Sequence, residues 1–422
     1  MKASKHTILI IGGGTAGITV AAQLLRKDKS LDIGIIEPSD KHYYQPAWTL
    51  VGAGTYDLED TIREEKKFIP TGATWIKEHA QQIDPEQQIV STQEGRSYAY
   101  DYLVVAPGIQ LDWDAIPGLK EGIGKNGLTT NYDKRYVEYT WELLQNFKGG
   151  NALFTQPATP IKCGGAPQKI MYLADDYFRK HGIRDQTNVI FATSGTVIFG
   201  VEKFANTLNK IVKERNIHTR FFHRLIEIRP EKKEAVYEVT KEDWLPVSLG
   251  KGEHQLGIHS EGTSKVVIPY EMMHLAPPQS APDFIKQSPL AVPDSPYGWV
   301  DVDKHTLQHN RYGNVFSLGD VASTPNAKTG AAIRKQAPVL VTNLLSVMHQ
   351  HSNLRVNPQY QGYGSCPMVT RYGRMMLAEF DYENHPVPSF PFNTAKERWS
   401  MWLLKKYFLP WFYWHRMLKG KG

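Results

Sequence analysis

The feature that most constrains the fold is a run of glycines that follows a short apolar segment near the start of the chain. Residues 6–11 read HTILII and predict a buried strand, and the next stretch, GGGTAGITVAAQLLRK, begins with glycines and continues with helical periodicity. A second predicted strand, residues 32–37, ends in Glu37. This order of strand, glycine turn, helix and acid-terminated strand is that of a dinucleotide-binding βαβ unit.

The spacing of these glycines fits the pattern G-x-G-x-x-G. Gly12 permits a tight turn, Gly14 lets the backbone approach a pyrophosphate, and Gly17 allows the helix and strand to pack closely. The helix N-terminus attracts the anion. Glu37 can accept hydrogen bonds from ribose hydroxyls, and an acid at this position favours an unphosphorylated ribose, hence FAD or NAD.

Two later segments favour FAD in this unit. Residues 102–108 (YLVVAPG) form a predicted strand that ends near Ala106 and Gly108, and residues 314–322 (NVFSLGDVA) form a strand that ends at Asp320. In flavoproteins with two dinucleotide domains, the first segment resembles the Ala-Thr-Gly strand end. The second resembles the segment whose Asp holds the FAD ribityl chain, so we expect these residues to bind FAD.

A long helix is predicted over residues 328–348. In that superfamily its N-terminus faces the pyrimidine end of the flavin, where the reduced ring carries negative charge. Lys335 would add a cation there. The alternative is a solvated surface lysine.

The middle of the chain predicts a second Rossmann-like unit whose cofactor site is degenerate. Residues 188–193 (NVIFAT) predict a strand, and a helix is predicted to start near Val201. Gly195 and Gly200 are separated by β-branched and aromatic residues, so the backbone cannot approach a nicotinamide cofactor closely. We therefore expect an α/β, glutathione-reductase-like fold. Its predicted parts are an FAD domain (1–115 and 300–350), a second Rossmann-like domain (116–299) and a C-terminal region (351–422).

The chain has only two cysteines, and both stand among glycines and prolines. Cys163 lies in TPIKCGGAPQK and Cys366 in GYGSCPMVTRYGR, so both are expected in stiff loops. A reactive thiol needs access and a depressed pKa, and Lys162, Arg371 and Arg374 are candidate sources of positive charge. The alternative is that both cysteines are buried apolar residues.

Several segments together resemble the sulfide:quinone oxidoreductases, in particular the mitochondrial-like members. The matching segments are residues 42–54 (HYYQPAWTLVGAG), 107–113 (PGIQLDW), 160–173 (PIKCGGAPQKIMYL), 298–309 (GWVDVDKHTLQH), 365–382 (SCPMVTRYGRMMLAEFDY) and the aromatic tail. The resemblance extends from about residue 6 to 418. Many bacterial members carry a third cysteine that this chain lacks, whereas mitochondrial-like members have two.

The resemblance implies an FAD enzyme that oxidises hydrogen sulfide and passes two electrons to ubiquinone or menaquinone. It implies that Cys163 and Cys366 form the redox-active pair, bridged by a disulfide or trisulfide, with the persulfide favoured on Cys366 and Cys163 facing the flavin. A small thiophilic acceptor such as sulfite, glutathione, coenzyme A or cyanide then removes the sulfane sulfur. It also places Gln45 among the cofactor-binding residues.

The tail, residues 395–418, predicts a helix, a break at Pro410 and a second short helix. It holds eight aromatics, four of them Trp, with cations interspersed, which is typical of a monotopic membrane anchor. The alternatives are a packing helix or a dimer contact. Phe380, Tyr382, Phe390 and Phe392 are candidate linings of a quinone slot, although ordinary core positions explain at least half of them.

Charge and targeting signals limit the remaining classes. Residues 395–422 carry seven Lys or Arg against one Glu, which equals the whole net charge of +6, so we expect no nucleic-acid partner. No metal site is expected, nor a signal peptide or a bilayer-spanning run. We expect a peripheral protein on the cytoplasmic face of an inner or plasma membrane. The oligomeric state is left open, with a homo-oligomer among the alternatives.

Three other functions remain open from the residues alone. A type II NADH dehydrogenase shares the architecture and the tail, but it needs a second intact glycine fingerprint and no paired cysteines. A flavocytochrome-type sulfide dehydrogenase needs an export signal and a haem partner. A non-catalytic, membrane-bound flavoprotein that carries persulfide sulfur would bind flavin without turnover.

Overall fold

A computed structural model of the chain describes residues 4–245, 252–325, 328–350, 354 and 357–422. The strands are Ser4–Ile11, Ile33–Ile36, Lys41–Tyr43, Ile62–Glu64, Ala73–Ile76, Ala80–Asp84, Ile89–Thr92, Ser97–Val105, Gln110–Leu111, Leu128–Thr129, Gly150–Gln156, Thr187–Thr193, His218–Arg220, His223–Arg229, Glu234–Val239, His259–Glu261, Lys265–Pro269, Met272–Leu275, Gln279–Ser280, Val315–Ser317, Gly364–Arg371 and Arg374–Phe380.

The α-helices are Thr15–Lys27, Trp48–Val51, Leu119–Gly122, Val137–Asn146, Ala166–Lys180, Glu202–Glu214, Gly252–Gln255, Asp283–Lys286, Gly330–Met348, Trp399–Leu403 and Leu409–His415. One π-helical turn, Leu404–Phe408, joins the last two. Short 3-10 turns occupy Gln45–Ala47, Glu59–Thr61, Glu65–Lys67, Arg184–Gln186, Pro230–Lys232, Glu242–Trp244, Gly319–Val321 and Met417–Lys419.

The first sheet is built around the N-terminal strand. Ser4–Ile11 pairs in parallel with Ile33–Ile36 on one side and Ser97–Val105 on the other. The carboxyl half of Ser97–Val105 also pairs in parallel with Val315–Ser317, so a late segment completes the first unit. The apolar run that predicted a strand is fully buried from Ile8 to Ile11, because Ile8 and Ile10 pack against the helices Thr15–Lys27 and Gly330–Met348 and Leu9 and Ile11 pack in a second core on the opposite face.

A second parallel sheet lies in the middle of the chain. Its strand order is Leu128–Thr129, Met272–Leu275, Gly150–Gln156, Thr187–Thr193 and His218–Arg220, all in parallel. A four-stranded antiparallel sheet accompanies it, formed by His223–Arg229, Glu234–Val239, Lys265–Pro269 and His259–Glu261 in that order. The predicted α/β class with two Rossmann-like sheets is confirmed. The division into domains at the stated residues stays a prediction, and its boundary at residue 351 lies outside the described residues.

Two predicted local features near the C-terminus are wrong. Cys366 lies within the strand Gly364–Arg371 of a two-stranded antiparallel hairpin, not in a loop. Pro367 is compatible with this strand because the hairpin has no third strand that needs its N–H. Pro410 does not break the tail, because the π turn Leu404–Phe408 leads directly into a helix whose first turn accommodates proline.

The hairpin that carries Cys366 packs against the helix Ala166–Lys180, which begins just after Cys163. The hydrophobic core beneath them contains Met368, Met376 and Trp402 together with the apolar face of that helix. The fold therefore brings two segments 203 residues apart in sequence onto one core, with the tail packed over them.

Candidate active site

The glycine turn after the first strand has the geometry of a dinucleotide cradle. Gly12 has φ +98°, and a Cβ there would meet the carbonyl oxygen of Ala106. A Cβ at Gly17 would meet the carbonyl oxygen of Gly12, so this position must be glycine for the helix to pack closely on the turn. Among the described residues, no heavy atom lies within 4 Å of a Cβ built at Gly14, which leaves space above the helix N-terminus.

Glu37 lies against this turn. Its Oε2 accepts a hydrogen bond from the Gly13 N–H at 2.8 Å, and its Oε1 accepts one from the Ser39 N–H at 2.8 Å. Burial raises the pKa of the Glu37 carboxyl, and these two backbone donors oppose that shift. Ala106 donates its N–H to the Ile11 carbonyl at 2.8 Å, and Gly108 takes φ +77° just beyond the adjacent strand. Both strand ends thus meet at the turn.

Asp320 and two lysines connect this site to the cysteine loop. Lys328 donates through Nζ to the backbone carbonyls of Asp320 at 2.7 Å and Ala322 at 2.9 Å. Lys162 donates to the Gln45 side-chain oxygen at 2.6 Å. Burial raises the pKa of the Asp320 carboxyl, while both lysines act to lower it. Burial also lowers the pKa of Lys328 to about 8.

The long helix presents Gln336, and not Lys335, to the aspartate segment. The Gln336 side-chain oxygen accepts a hydrogen bond from the Gly319 N–H at 2.9 Å. Lys335 is exposed, and its Nζ lies 5.7 Å from the ring centroid of Tyr363. The predicted role of Lys335 near the flavin stays a prediction.

Cys163 occupies a backbone conformation that is uncommon for a residue with a side chain. Its φ is +51°, in the left-handed region. Three contacts fix this loop. The Cys163 N–H donates to the Lys328 carbonyl at 2.9 Å, its carbonyl accepts from the Ala166 N–H at 2.8 Å, and the Tyr132 hydroxyl donates to the same carbonyl at 3.3 Å. The loop therefore presents a half-buried thiol at the start of a helix.

The two cysteines face each other although they belong to distant segments. Both are free thiols in this structure, and each sulfur lies within hydrogen-bonding reach of the other. Cys366 is buried, with 5% of its surface exposed. A Cβ placed on Gly165 would meet the Cys366 sulfur, so this glycine makes room for the approach.

Two buried lysines supply the positive charge at the sulfurs. Lys169, three residues into the helix that follows Cys163, donates through Nζ to the Cys163 sulfur at 2.9 Å and also contacts Cys366. Lys405, from the π turn of the tail, donates to the Pro46 carbonyl at 2.6 Å and interacts with both sulfurs. Each lysine is only 3% exposed.

This environment separates the pKa values of the two thiols. The hydrogen bond from Cys366 and the charge of Lys169 hold the pKa of Cys163 well below its usual range, against the effect of burial. The same hydrogen bond, together with burial, raises the pKa of Cys366 well above its usual range. Cys163 is thus the thiolate of the pair, and Cys366 is the protonated partner.

Neither of these lysines was predicted from the sequence. The predicted cations were Lys162, Arg371 and Arg374, but Lys162 binds Gln45 and the two arginines are exposed at the far end of the hairpin. Lys169 could have been found, because it directly precedes the apolar run 170–174 of a helix that follows Cys163. Lys405 gave no local signal, since it is one of several cations among the tail aromatics.

The tail forms an open apolar cavity of about 520 Å³. Its lining residues are Phe390, Ser400, Met401, Leu403, Leu404, Tyr407, Phe408 and Trp411. Of the four aromatics predicted to line a quinone slot, only Phe390 is among them. Phe380 packs on Phe199, Tyr382 packs on Tyr360, and Phe392 stacks on Phe390.

The second unit has a different connection at the position of the glycine turn. Its strand Gly150–Gln156 pairs in parallel with the next strand, Thr187–Thr193, as Ser4–Ile11 pairs with Ile33–Ile36, so its connection to the helix Ala166–Lys180 corresponds to the glycine turn. Nine residues, 157–165, separate that strand from that helix, compared with three in the first unit, and they carry Cys163 in place of a G-x-G-x-x-G pattern. The two glycines of the prediction, Gly195 and Gly200, lie in the following connection, where Phe199 packs on Phe204 and Phe380.

The residues of the first unit fit an FAD molecule. The open space at Gly14 can take a pyrophosphate, and Glu37 lies where a ribose binds in such units. At the opposite end, the buried Gln279 accepts the Lys162 N–H at 2.9 Å, while its Nε2 has no partner among the residues that the structure describes. An unpaired buried amide next to the cysteine loop is a donor available to a polar cofactor.

Comparisons with known proteins agree with this geometry. A family model described as pyridine nucleotide-disulphide oxidoreductase matches residues 6–140. The chain is 46% identical over 415 residues to the protein named sulfide:quinone oxidoreductase, mitochondrial, of Mus musculus, covering 98% of this chain and 87% of that protein. It is also 46% identical over 416 residues to the protein of the same name from Dictyostelium discoideum, covering 98% and 86%.

A solved structure supports the fold independently. The sulfide:quinone oxidoreductase of Aquifex aeolicus matches with a TM-score of 0.80 at 20% identity, over 99% of this chain and 92% of that chain. The predicted resemblance is therefore confirmed. The chain belongs to the sulfide:quinone oxidoreductase family of FAD-dependent enzymes.

Proposed function

We propose that this enzyme oxidises hydrogen sulfide at the Cys163–Cys366 pair and delivers two electrons to a membrane quinone. The observation that carries the proposal is the meeting of the only two cysteines of the chain beside two buried lysines. When bound, FAD supplies a two-electron relay between the sulfur pair and the quinone. With sulfite as the acceptor, hydrogen sulfide, sulfite and quinone give thiosulfate and quinol, which balances atoms and electrons.

In the sulfur step, hydrosulfide attacks the Cys366 sulfur of the oxidised, disulfide-bridged pair. A new S–S bond forms on Cys366 to give a persulfide, the old bond breaks, and Cys163 leaves as a thiolate with the electron pair. This direction follows from the pKa separation, because the thiol with the lower pKa is the better leaving group. A thiophilic acceptor then takes the sulfane sulfur. The Cys163–Cys366 bond re-forms as the two cysteines lose two electrons, which reduce the quinone.

Lys169 and Lys405 assist this step electrostatically. The Lys169 ammonium lies 2.9 Å from the Cys163 sulfur and stabilises the negative charge that develops there. The two lysines also attract the hydrosulfide anion toward the sulfur pair, and the Asp320 carboxyl, which interacts electrostatically with Cys163, opposes part of this attraction.

The quinone reaches the enzyme from a membrane surface. Supporting this part of the proposal, four large aromatics of the tail are exposed, Trp399, Tyr407, Phe408 and Trp411, and the last three line the apolar cavity. Trp and Tyr favour the headgroup boundary, and nearby lysines favour anionic lipid. No described helix is long and apolar enough to cross a bilayer, so contact would be peripheral. Which membrane face it occupies, cytoplasmic or matrix, is tested by localisation in cells.

The decisive experiment is sulfide-dependent quinone reduction by the FAD-loaded enzyme. Purified protein is mixed with sulfide, sulfite and a short-chain ubiquinone, and quinol and thiosulfate are measured together. We expect a 1:1 ratio of the two products in wild type and a loss of roughly 10³-fold or more in Cys163→Ser and Cys366→Ser. Wild-type rates in either variant would contradict the cysteine mechanism.

A nucleotide control separates the main rival. NADH replaces sulfide in the same assay, because a type II NADH dehydrogenase would reduce quinone with it. We expect no NADH-dependent reduction, since the connection between Gly150–Gln156 and Ala166–Lys180 carries the Cys163 loop where a nicotinamide-binding unit has its glycine turn. Flavin binding and cysteine persulfidation without quinol formation would instead identify a non-catalytic persulfide carrier.

A further inference from the structure

The two halves of the tail have different environments. The first half exposes the aromatics around the cavity, whereas the second half is buried: Tyr413, Trp414, Met417 and Leu418 are between 0% and 7% exposed. They pack in the same core as the first helix, Thr15–Lys27. Gly420 lies so close to the backbone of Ala22 and Gln23 that a Cβ would be 2.9 Å from either. The end of the chain is therefore part of the dinucleotide unit.

A chain of buried hydrogen bonds runs from this half of the tail to the glycine turn. The Tyr413 hydroxyl lies 2.7 Å from the Thr15 hydroxyl and 2.6 Å from His42 Nε2, and His42 Nδ1 lies 2.9 Å from Glu65 Oε2. A carboxylate only accepts, so His42 donates through Nδ1. With a neutral imidazole, Tyr413 donates to Nε2 and accepts from Thr15. Each hydroxyl and imidazole N–H in this series of hydrogen bonds then has an acceptor.

Both ends of this chain touch the dinucleotide fingerprint. Thr15 is the first residue of the helix that follows the turn. Glu65 lies beside Gly13, so that a Cβ there would be 2.9 Å from Glu65 Oε1, and the Glu37 side chain packs against the same position and accepts the Gly13 N–H. Glu65 is 2% exposed, so it supports the turn from the protein interior and does not face the cofactor space.

We propose that docking of the tail through Tyr413 and binding of FAD are thermodynamically coupled. Tyr413 is a positioning residue: it fixes Thr15, the first residue of the helix whose N-terminus faces the pyrophosphate space, and, through His42, the Glu65 side chain that lies beside Gly13. Coupling is reciprocal, so the factor by which a docked tail tightens FAD binding is the factor by which FAD tightens docking. Flavin-free chains would therefore present a loosened tail. The proposal rests on FAD binding at this turn and is independent of the cysteine chemistry.

The test uses flavin-stripped full-length protein titrated with FAD. Flavin fluorescence quenching gives the Kd for wild type, for Tyr413→Phe and for Tyr407→Phe, a matched control that loses one exposed hydroxyl elsewhere on the tail. We expect Tyr413→Phe to raise the Kd by roughly 5- to 30-fold, because Thr15 and His42 lose a buried partner. We expect Tyr407→Phe to leave it unchanged. An unchanged Kd in Tyr413→Phe would overturn the proposal.

Limited proteolysis provides a readout that does not depend on the variant folding. Trypsin cleaves after Arg416, which is exposed but lies within the docked half of the tail. In wild type, saturating FAD is expected to slow this cleavage at least fivefold. Equal rates of cleavage at Arg416 with and without FAD would overturn the coupling, whatever the activity with sulfide.

Discussion

The two cysteines occupy opposite chemical environments although they are in contact. Cys163 lies in a strained loop, half-buried, with a lysine ammonium 2.9 Å away, whereas Cys366 lies in a buried strand. The pKa of the first thiol is lowered and that of the second is raised. We propose that this asymmetry of the pair determines which sulfur is attacked and which leaves.

The largest expected effect concerns the location of the persulfide. We expect sulfide added to the oxidised enzyme without an acceptor to place its sulfur on Cys366 in an excess of about tenfold or more, because Cys163 is the better leaving group. Alkylation followed by peptide mass mapping identifies the modified residue. An equal distribution, or an excess on Cys163, contradicts the assigned direction of attack.

The second largest effect is expected from removing the Lys169 ammonium group that contacts Cys163. In Lys169→Met the pKa of Cys163 rises, so the thiolate forms only at higher pH. The midpoint of iodoacetamide alkylation of the reduced enzyme should move upward by about 1–2 pH units. Lys162→Met is the matched control, because Lys162 is adjacent to Cys163 in sequence but binds Gln45. A midpoint that does not move in Lys169→Met would show that Lys169 does not stabilise the thiolate.

A smaller effect is expected from crowding the contact between the sulfurs. In Gly165→Ala the new methyl group meets the Cys366 sulfur and the Met368 side chain, so the two cysteines are pushed apart. Closure of the disulfide after reduction should slow about tenfold. Gly164→Ala is the control, since no heavy atom lies within 4 Å of a Cβ there. Equal closure rates in the two variants would mean that the packing at Gly165 tolerates a methyl group.

The smallest expected effect is on the stability of the protein and concerns Lys405, which interacts with both sulfurs. Burial lowers the pKa of this lysine to about 7. Below pH 7 the folded state must bury a charged amine, and this penalty declines as the pH rises from 7 toward the ordinary lysine pKa. Lys405→Met should therefore gain about 2 kcal/mol more stability, relative to wild type, at pH 6 than at pH 9.

Urea unfolding of the FAD-loaded enzyme at the two pH values measures this difference. Lys406→Met, at the neighbouring and less buried position, should show no such dependence on pH. A pH-independent effect of Lys405→Met would indicate that its amine is not desolvated in the folded enzyme.

Local patterns in the sequence predicted much of the fold, because these helices, strands and turns are determined by residues that are adjacent in sequence. The strand, glycine turn and helix at residues 6–27 are specified by residues adjacent to one another, and the structure places them at Ser4–Ile11 and Thr15–Lys27. The helix after residue 328 and the strand ending at Thr193 were predictable for the same reason. The predicted proximity of the cysteines came from the family resemblance, not from spacing.

The site was less predictable wherever distant segments meet. Cys366 looked like a loop residue because Gly and Pro surround it, but pairing with Arg374–Phe380 makes it a strand residue. Lys405 lies buried in a π turn and interacts with both sulfurs, and nothing in its sequence neighbours indicates that direction. Tyr413, His42 and Glu65 are polar residues of ordinary type, and only tertiary packing reveals their connection.

The contact between Thr15 and Tyr413 spans 398 residues, and this separation has a consequence for biosynthesis. At 5–20 residues per second, the ribosome makes the two partners roughly 20–80 s apart. The first helix therefore emerges early and waits for the last segment of the chain before its hydrogen bonds are complete. Chains that terminate early within the tail would keep the glycine turn but lose its support, so full-length translation becomes a requirement for maturation of the flavoprotein.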